Sequence, residues 1–566
     1  MSFRNCPVTG LKVESNAETL IKVNAVTAIV CFLVGVIAAL LLVLTRWQAV
    51  HLLPATWYYR ILTAHGLNML IFFIIFFEVA ILYFAGPVML RCRLPAPRVA
   101  WAAYALMLIG TLMVEYFVFA GKADVLFTSY VPLRAHPGYY LGIILFAVGT
   151  LVAVTLFFAS LVVARREKTY EGSVPLVTFG AHVAAVIAVI TLLHGAAIYI
   201  PTFLWSLNLM QMDAEVYRMV WWGLGHSSQQ INVAAHVAVW YLMAGLTVGG
   251  VVLNEKISRL AYVLYVLFIS MASAHHLLVD PGPSPAWKIW NTSYAMYLAV
   301  LASMIHGFTV PAGIEAGMRL RGFNKGRFQW LTRAPWGDPG FSATALSVVI
   351  FGFGGGITGV TIGTEQINII AHNTLRIPGH FHMTVVGGTA LAFMGLTYYV
   401  LPLIFRRRVA FWGLAKWQPY LFGIGVTIVG IAQTYAGSFG VPRRHWDISF
   451  TNAPVKVHFP AAVDLFLAIM ALGGVIAFLG GLSYVLIAVA SVLGKPLTDE
   501  DLARGGPGLP PGVVKLPPQT YTVEQSEEIH AKGCPGTVVL VYVFLGAFVL
   551  YYFANWKILS VLWRIQ

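Results

Sequence analysis

The chain has 566 residues, of which 59% are hydrophobic and only 10% charged, and its mean hydropathy is +0.78. A water-soluble chain of this length would carry about 25% charge spread over several domains, so composition excludes that class and points to an integral membrane protein. The net charge of +14 invites a nucleic-acid reading, which the placement of the cations removes.

A polar segment, residues 1–22, comes first and is expected to be a short cytoplasmic tail. Thirteen apolar runs follow, near 24–45, 61–84, 99–120, 138–164, 175–205, 216–251, 257–278, 289–315, 341–363, 375–405, 418–438, 459–492 and 537–560, each long enough to cross a bilayer. They are continuous rather than alternating, which selects helices over strands. The expected fold class is therefore all-α: a polytopic bundle of thirteen transmembrane helices forming a single domain over residues 1–566. Loops are brief except for 493–535, whose Gly505-Gly-Pro-Gly-Leu-Pro-Pro-Gly stretch reads as a cytoplasmic linker before the last helix.

Assigning the N-terminal tail and every second loop to one side collects 24 of the 36 Lys and Arg there, including Arg165-Arg166, Arg319, Arg321 and Arg406-Arg407-Arg408. That is the positive-inside pattern, with the N-terminus cytoplasmic and the C-terminus outside. The four cysteines, Cys6, Cys31, Cys92 and Cys534, form no CxxC or CxxCH, so no disulfide framework, zinc site or covalently attached c-type haem is expected.

This topology brings six histidines to one depth. His65 lies near the start of the second run, His226 about ten residues into the sixth, His275-His276 at the end of the seventh, and His380 and His382 at the start of the tenth. At about 1.5 Å per residue all six fall within roughly 15 Å of the outer face. Packing histidines would scatter in depth; ligand-grade side chains gathered inside hydrocarbon mark a functional site. Positions i and i+2 of a helix point about 200° apart, so the tenth run could serve two haems, one on each flank. A bis-histidine haem needs a pair such as His65 with one histidine of that run, and a five-coordinate haem could take the other. His226, His275 and His276 then remain for copper, iron or zinc. Arg443-Arg444, in an outer loop, offers paired donors for haem propionates, and His372 and Arg376 could join them.

In their order and spacing these residues resemble subunit I of the haem–copper oxidase superfamily. The words Pro281-Gly-Pro-Ser-Pro-Ala-Trp287-Lys288, His372-Asn-Thr and Val441-Pro-Arg-Arg444 are similar to its type-B (ba3-like) branch. The resemblance implies His65 and His382 on a low-spin haem of b type, and His380 on a high-spin haem of b, o or a type. It places His226, His275 and His276 on a non-haem metal, Cu or Fe. It also implies a second subunit bearing a dinuclear copper or c-haem electron-entry site, or quinol as donor, in a bacterial or archaeal cytoplasmic membrane.

One position departs from the oxygen-reducing members. Types A and B carry a cross-linked tyrosine four residues after the first metal histidine, and here that residue is Gln230. An amide has neither the acidity nor the one-electron chemistry of a phenol. Tyr265 lies ten residues, about 15 Å, from His275, and Tyr241 about 22 Å from His226 along its helix. The common nitric oxide reductases of the superfamily place a glutamate at this position, and Gln230 is its uncharged analogue. The expected activity is reduction of nitric oxide to nitrous oxide, as in relatives built on a type-B frame, with reduction of O2 to water as the alternative. A non-catalytic haem protein has no need of three histidines beside a five-coordinate haem. For protons, Ser303, His306, Thr309 and Glu315 on the eighth run, with Tyr241 opposite, form a polar line that resembles in part the type-B uptake route. Glu78, Glu115 and Glu365 are further acids in or beside apolar sequence, with Glu365 expected nearest the haems.

Overall fold

The computed structural model describes residues 2–269, 275–450, 454, 457–510 and 521–562. Its principal helices are α1 (Ser15–Arg46), α2 (Ala55–Val88), α3 (Pro97–Phe119), α4 (Pro137–Arg166), α5 (Leu176–Ser206) and α6 (Ala214–Val248). Next come α7 (Glu255–Leu264, continued by Tyr265–Ile269) and α8 (Pro285–Leu320). The remainder are α9 (Pro339–Gly363), α10 (Arg376–Leu403), α11 (Trp412–Ser438), α12 (Ala461–Val492) and α13 (Pro535–Leu562). Among the described residues twelve of these are long and apolar enough to cross a membrane. The remaining one, α7, runs into 270–274, which lie outside the described residues.

Local chemistry sets the helix starts. Proline, whose missing N–H costs nothing at the first helical position, opens α3, α4, α8, α9 and α13. Asp213 accepts from the Glu215 and Val216 amides at the head of α6, and Asp338 from Phe341 at the head of α9. Over their most apolar stretches α2, α6 and α10 are 83%, 89% and 83% buried, against 6% for α13. The three helices expected to carry His65, His226 and the His380/His382 pair therefore form the centre of the bundle.

Three departures from regular spacing surround that centre. Asn68–Phe72, Ile350–Gly356 and His382–Ala390 are wound in wide π turns, a geometry that concentrates at functional sites. The α9 and α10 segments approach as closely as glycine allows: a Cβ on Gly355 would meet Thr384 at 2.4 Å, and one on Gly387 would meet Ile350 at 2.4 Å.

The N-terminal segment is folded onto the bundle. Phe3–Asn5 pairs antiparallel with Lys12–Glu14, and α1 begins at Ser15 rather than near residue 24. Arg4 fastens this hairpin to Glu18 at 2.9 Å and to the Leu403 carbonyl at 2.8 Å. The described residues of the 493–535 segment are also structured. They include helices Asp499–Arg504 and Val523–Lys532, and are stitched to the 405–411 loop by Arg406–Asp499 (2.7 Å) and Arg408–Pro507 (2.7 Å) bonds.

Glu315 anchors the last helix. Its carboxylate accepts from Arg319 Nε (2.8 Å), the Gly536 amide (3.1 Å), and both the Thr537 amide (2.6 Å) and hydroxyl (2.7 Å). At the other end of α13, Arg376 Nη2 donates to Asn555 at 2.8 Å. Replacing Glu315 with alanine leaves the buried Arg319 without its carboxylate, held only by the Asn324 and Gly326 carbonyls, and is expected to cost about 3–5 kcal/mol. A lowered thermal midpoint with faster proteolysis between α12 and α13 is the signature, and unchanged melting would contradict this anchoring role.

Candidate haem and metal centre

His382, at the head of α10, faces His65 on α2. Their rings are parallel within 12° and their centroids 6.3 Å apart. Two iron–nitrogen bonds of ~2 Å plus two ring radii come to about 6 Å, the gap of a bis-imidazole haem. The Nδ1 atoms are taken: His65 bonds the Gly35 carbonyl (3.0 Å) and His382 the Pro378 carbonyl (2.6 Å), which leaves each Nε2 available as a ligand. His380 turns to the other flank, its Nδ1 between the Gly355 carbonyl (3.1 Å) and Thr358 Oγ1 (3.0 Å) of α9, so its Nε2 is also available. Second bonds of this kind fix tautomer and ring orientation in ligand histidines.

His226 from α6 meets His275 and His276, which follow α7 in backbone that is no longer α-helical. One ligand nitrogen from each lies within 4.8 Å of the others, and His226 Nδ1 is 3.1 Å from His276 Nε2. The His275 and His276 rings are 4.1 Å apart and tilted by 39°. Asn368 Nδ2 donates to the His275 carbonyl at 3.4 Å. Trp222, one turn before His226, stacks on His276 at 3.7 Å and 5°. Three imidazoles without a carboxylate fit copper, iron or zinc. Gln230 completes the group: its Nε2 lies 3.0 Å from His226 Nε2, while its Oε1 is buried without a partner.

All six histidines line one cavity of about 510 Å³, together with Gln230, Ser303, His372, Arg443 and Arg444. At its outer edge Arg443 is half-buried, with its Nε buried and unpartnered, and desolvation beside Arg444 holds its guanidinium down to about 9. Burial and the Arg443 and Arg218 cations push His372 down to about 4. A partly desolvated cation whose buried Nε has no partner calls for an anion, and a haem propionate would supply one. Arg376 corrects the expectation that it joins this edge, since it turns to Ser438 (2.6 Å) and Asn555. Arg218, which sequence reasoning missed, sits there instead. It pairs with Asp280 (2.5 Å) and approaches His372 Nε2 at 3.3 Å.

Towards the other end of α6 the Tyr241 hydroxyl contacts His306 Nδ1 (2.9 Å), Thr309 Oγ1 (2.7 Å) and Ser258 Oγ (3.1 Å). Ser303 is held by the Tyr265 hydroxyl at 3.0 Å, and the Tyr265 and His306 rings lie 5.5 Å apart. The structure thus joins Tyr241, His306 and Thr309 in one cluster, with Ser303 one turn above at the cavity wall. Ser258 on α7 went unnoticed in the sequence, and Tyr265, weighed there only for its distance from His275, proves to hold Ser303. Glu315 stands apart, committed to α13. Glu365 is only half-buried, at the start of the short helix Glu365–Ala371.

Comparison with known proteins adds a consistent set of likenesses. The family described as Cytochrome C and Quinol oxidase polypeptide I matches residues 19–476. Cytochrome c oxidase subunit 1 of Thermus thermophilus is 31% identical over 443 residues, covering 76% of each chain. Quinol oxidase subunit 1 of Bacillus subtilis is 23% identical, covering 73% of this chain and 64% of that one. A heme-copper terminal oxidase dimer solved by cryo-EM superimposes with a TM-score of 0.81 over 96% of this chain and 93% of its own, at 24% identity, a likeness of fold.

Proposed function

The chain belongs to the haem–copper oxidase subunit I family, and from that premise we propose that it is the catalytic subunit of a respiratory reductase whose substrate is nitric oxide. Joining two NO into N2O and water consumes two electrons and two protons. Two haems on His65/His382 and on His380, with a metal on His226, His275 and His276, would supply the electrons and the binding positions. The observation that carries this reading is Gln230, whose amide occupies the place beside His226 where an oxygen reductase of types A and B holds a phenol. Its free Oε1 and its N–H groups can orient a small polar diatomic but cannot give up an electron and a proton together.

The other residues take supporting parts. Arg443 and Arg444 hold the anionic haem edge, His372 and Arg218 pack beside them, and Trp222 fixes the His276 ring. Tyr241, His306, Thr309 and Ser303 form the proton line, fed from the side on which the N-terminus lies, which positive-inside counting makes the cytoplasm. Electrons enter from a partner subunit carrying dinuclear copper or c-haem, or from quinol. The type-B placement rests on the Pro281–Lys288, His372–Thr374 and Val441–Arg444 words of the sequence.

Oxygen reduction is the second reading. The named relatives are cytochrome c and quinol oxidases, and the Tyr265 phenol bonds Ser303, which lines the cavity. Turnover of the purified, reduced complex with NO under argon and with O2 in air separates the two. Rapid N2O formation with oxygen uptake at least about tenfold slower is expected, a difference of ~1.4 kcal/mol in barrier. Rapid oxygen uptake would overturn the nitric oxide reading.

A further inference from the structure

Where α2 and α4 reach the side of the bundle on which the N-terminus lies, each is closed by a basic residue in left-handed backbone. Arg91, after α2, has φ +55° and Lys168, after α4, has φ +51°. The next amide turns back in both, Cys92 to the Pro87 carbonyl (3.0 Å) and Thr169 to the Ala164 carbonyl (3.1 Å). Glycine is the usual residue at such a stop, because any Cβ crowds its own backbone there. On the same side α8 ends by the same stop and does use glycine: Gly322 has φ +93°, and the Phe323 amide donates to the Met318 carbonyl at 3.2 Å. A third left-handed cation, Arg406 after α10 (φ +55°), finds its anion inside the chain, bonding Asp499 at 2.7 Å. Arg91 and Lys168 are exposed and bond nothing among the described residues.

The two stops adjoin. Arg93 pairs with Glu167 at 2.8 Å, Thr169 Oγ1 donates to the Leu90 carbonyl at 2.5 Å, and Leu90, Cys92 and Ala164 share one small apolar cluster. Arg165 and Arg166, in the last turn of α4, are likewise exposed and bond nothing described. Residues 88–98 and 160–171 hold six Lys and Arg against two acids, Glu167 and Glu171, and Glu167 is committed to Arg93. The surface leading to these cations is apolar. The exposed stripe of α4 runs through Leu141, Val148, Leu151, Thr155 and Val162, and three and four residues on it meets Arg165 and Arg166.

We propose that Arg91, Arg165, Arg166 and Lys168 bind the phosphate of an anionic phospholipid in the leaflet on the N-terminal side, with an acyl chain along the α4 stripe. Cations at the end of a lipid-facing helix carry their charge to the headgroup layer while their stems lie on hydrocarbon. Guanidinium forks match phosphate oxygens, and the lysine adds a point charge. A zwitterionic lipid brings its own cation to its phosphate and gains less from this corner. A water-borne acidic partner makes no use of an apolar stripe that runs into the cations. The basic residues at the two left-handed stops then have a reason, since each ends a helix and keeps a charge at the turn. The site is independent of which gas the cavity reduces.

The test uses the whole complex, purified in detergent and followed by native mass spectrometry as phosphatidylglycerol, phosphatidylcholine or inorganic phosphate is added. The unmodified complex is expected to hold one phosphatidylglycerol more firmly than phosphatidylcholine, and inorganic phosphate to displace it poorly. In the double variant Arg91→Gly, Lys168→Gly that molecule should bind about thirtyfold more weakly, ~2 kcal/mol for two cations at a membrane surface. The thermal midpoint should hold or rise, because glycine suits both stops, whereas cations serving only the α4 dipole would lower it on removal. Arg165→Gln with Arg166→Gln leaves both stops intact and should weaken the same molecule by a similar factor. Phosphatidylglycerol binding that is unaltered in the glycine variant, or no firmer than that of phosphatidylcholine, would overturn the proposal. Ready displacement by inorganic phosphate would overturn it too, by making the corner a site for a free anion.

Discussion

Replacing His226 with alanine is expected to lower gas reduction by at least ~1000-fold and to leave the low-spin haem spectrum in place, because losing a residue that merely hydrogen-bonds a metal ligand already costs ~10–100-fold. The argument is local. His226 supplies one of three nitrogens within 4.8 Å of each other, and its ring contacts both His276 and Gln230. Removing it leaves two neighbouring imidazoles, too few to hold the metal against water. His65 and His382 have their own contacts, to Gly35 and Pro378, and do not touch the His226 group. Metal analysis, optical spectra and turnover on one preparation check the prediction. Retention of both metal and activity would sink the assignment of the site.

The complementary substitution, His65→Ala, should remove the low-spin haem signature and lower turnover from the electron donor by more than ~100-fold, with the five-coordinate haem still binding carbon monoxide. His65 is one face of a 6.3 Å gap, and His382 alone cannot close it. The two variants fail in different places, so substrate-side and donor-side defects can be told apart. A haem that keeps its six-coordinate spectrum in His65→Ala would mean that another side chain supplies the axial nitrogen.

The histidine constellation was legible in the sequence because depth in a membrane is a one-dimensional coordinate. Run boundaries and 1.5 Å per residue suffice to bring His65, His226, His275-His276, His380 and His382 to one level. Lateral neighbours are not coded in that way. That Ser303 meets Tyr265 and not the next member of its own line, and that Arg376 turns to Asn555 and leaves the outer edge to Arg218, depend on which helices adjoin. Glu315 was misread for the same reason: a buried acid near polar neighbours looks like a proton carrier until the head of α13 is found across from it. The N-terminal hairpin escaped because its apolar residues, Cys6, Val8, Leu11 and Val13, are too few to register against membrane runs, yet all are buried. Wide turns such as His382–Ala390 have no composition signal beyond clustered glycine.

His380 and His382 are two residues apart on a single backbone, one committed to Thr358 and the other to His65. The separation of two redox centres is therefore fixed by a few covalent bonds, not by the packing of independent parts. Tunnelling falls off steeply with distance, and a gauge block of this kind keeps that distance constant while surrounding helices breathe, tilt or diverge between relatives. The interval between the two histidines is then set by the backbone of one helix, whatever gas the cavity is tuned to reduce.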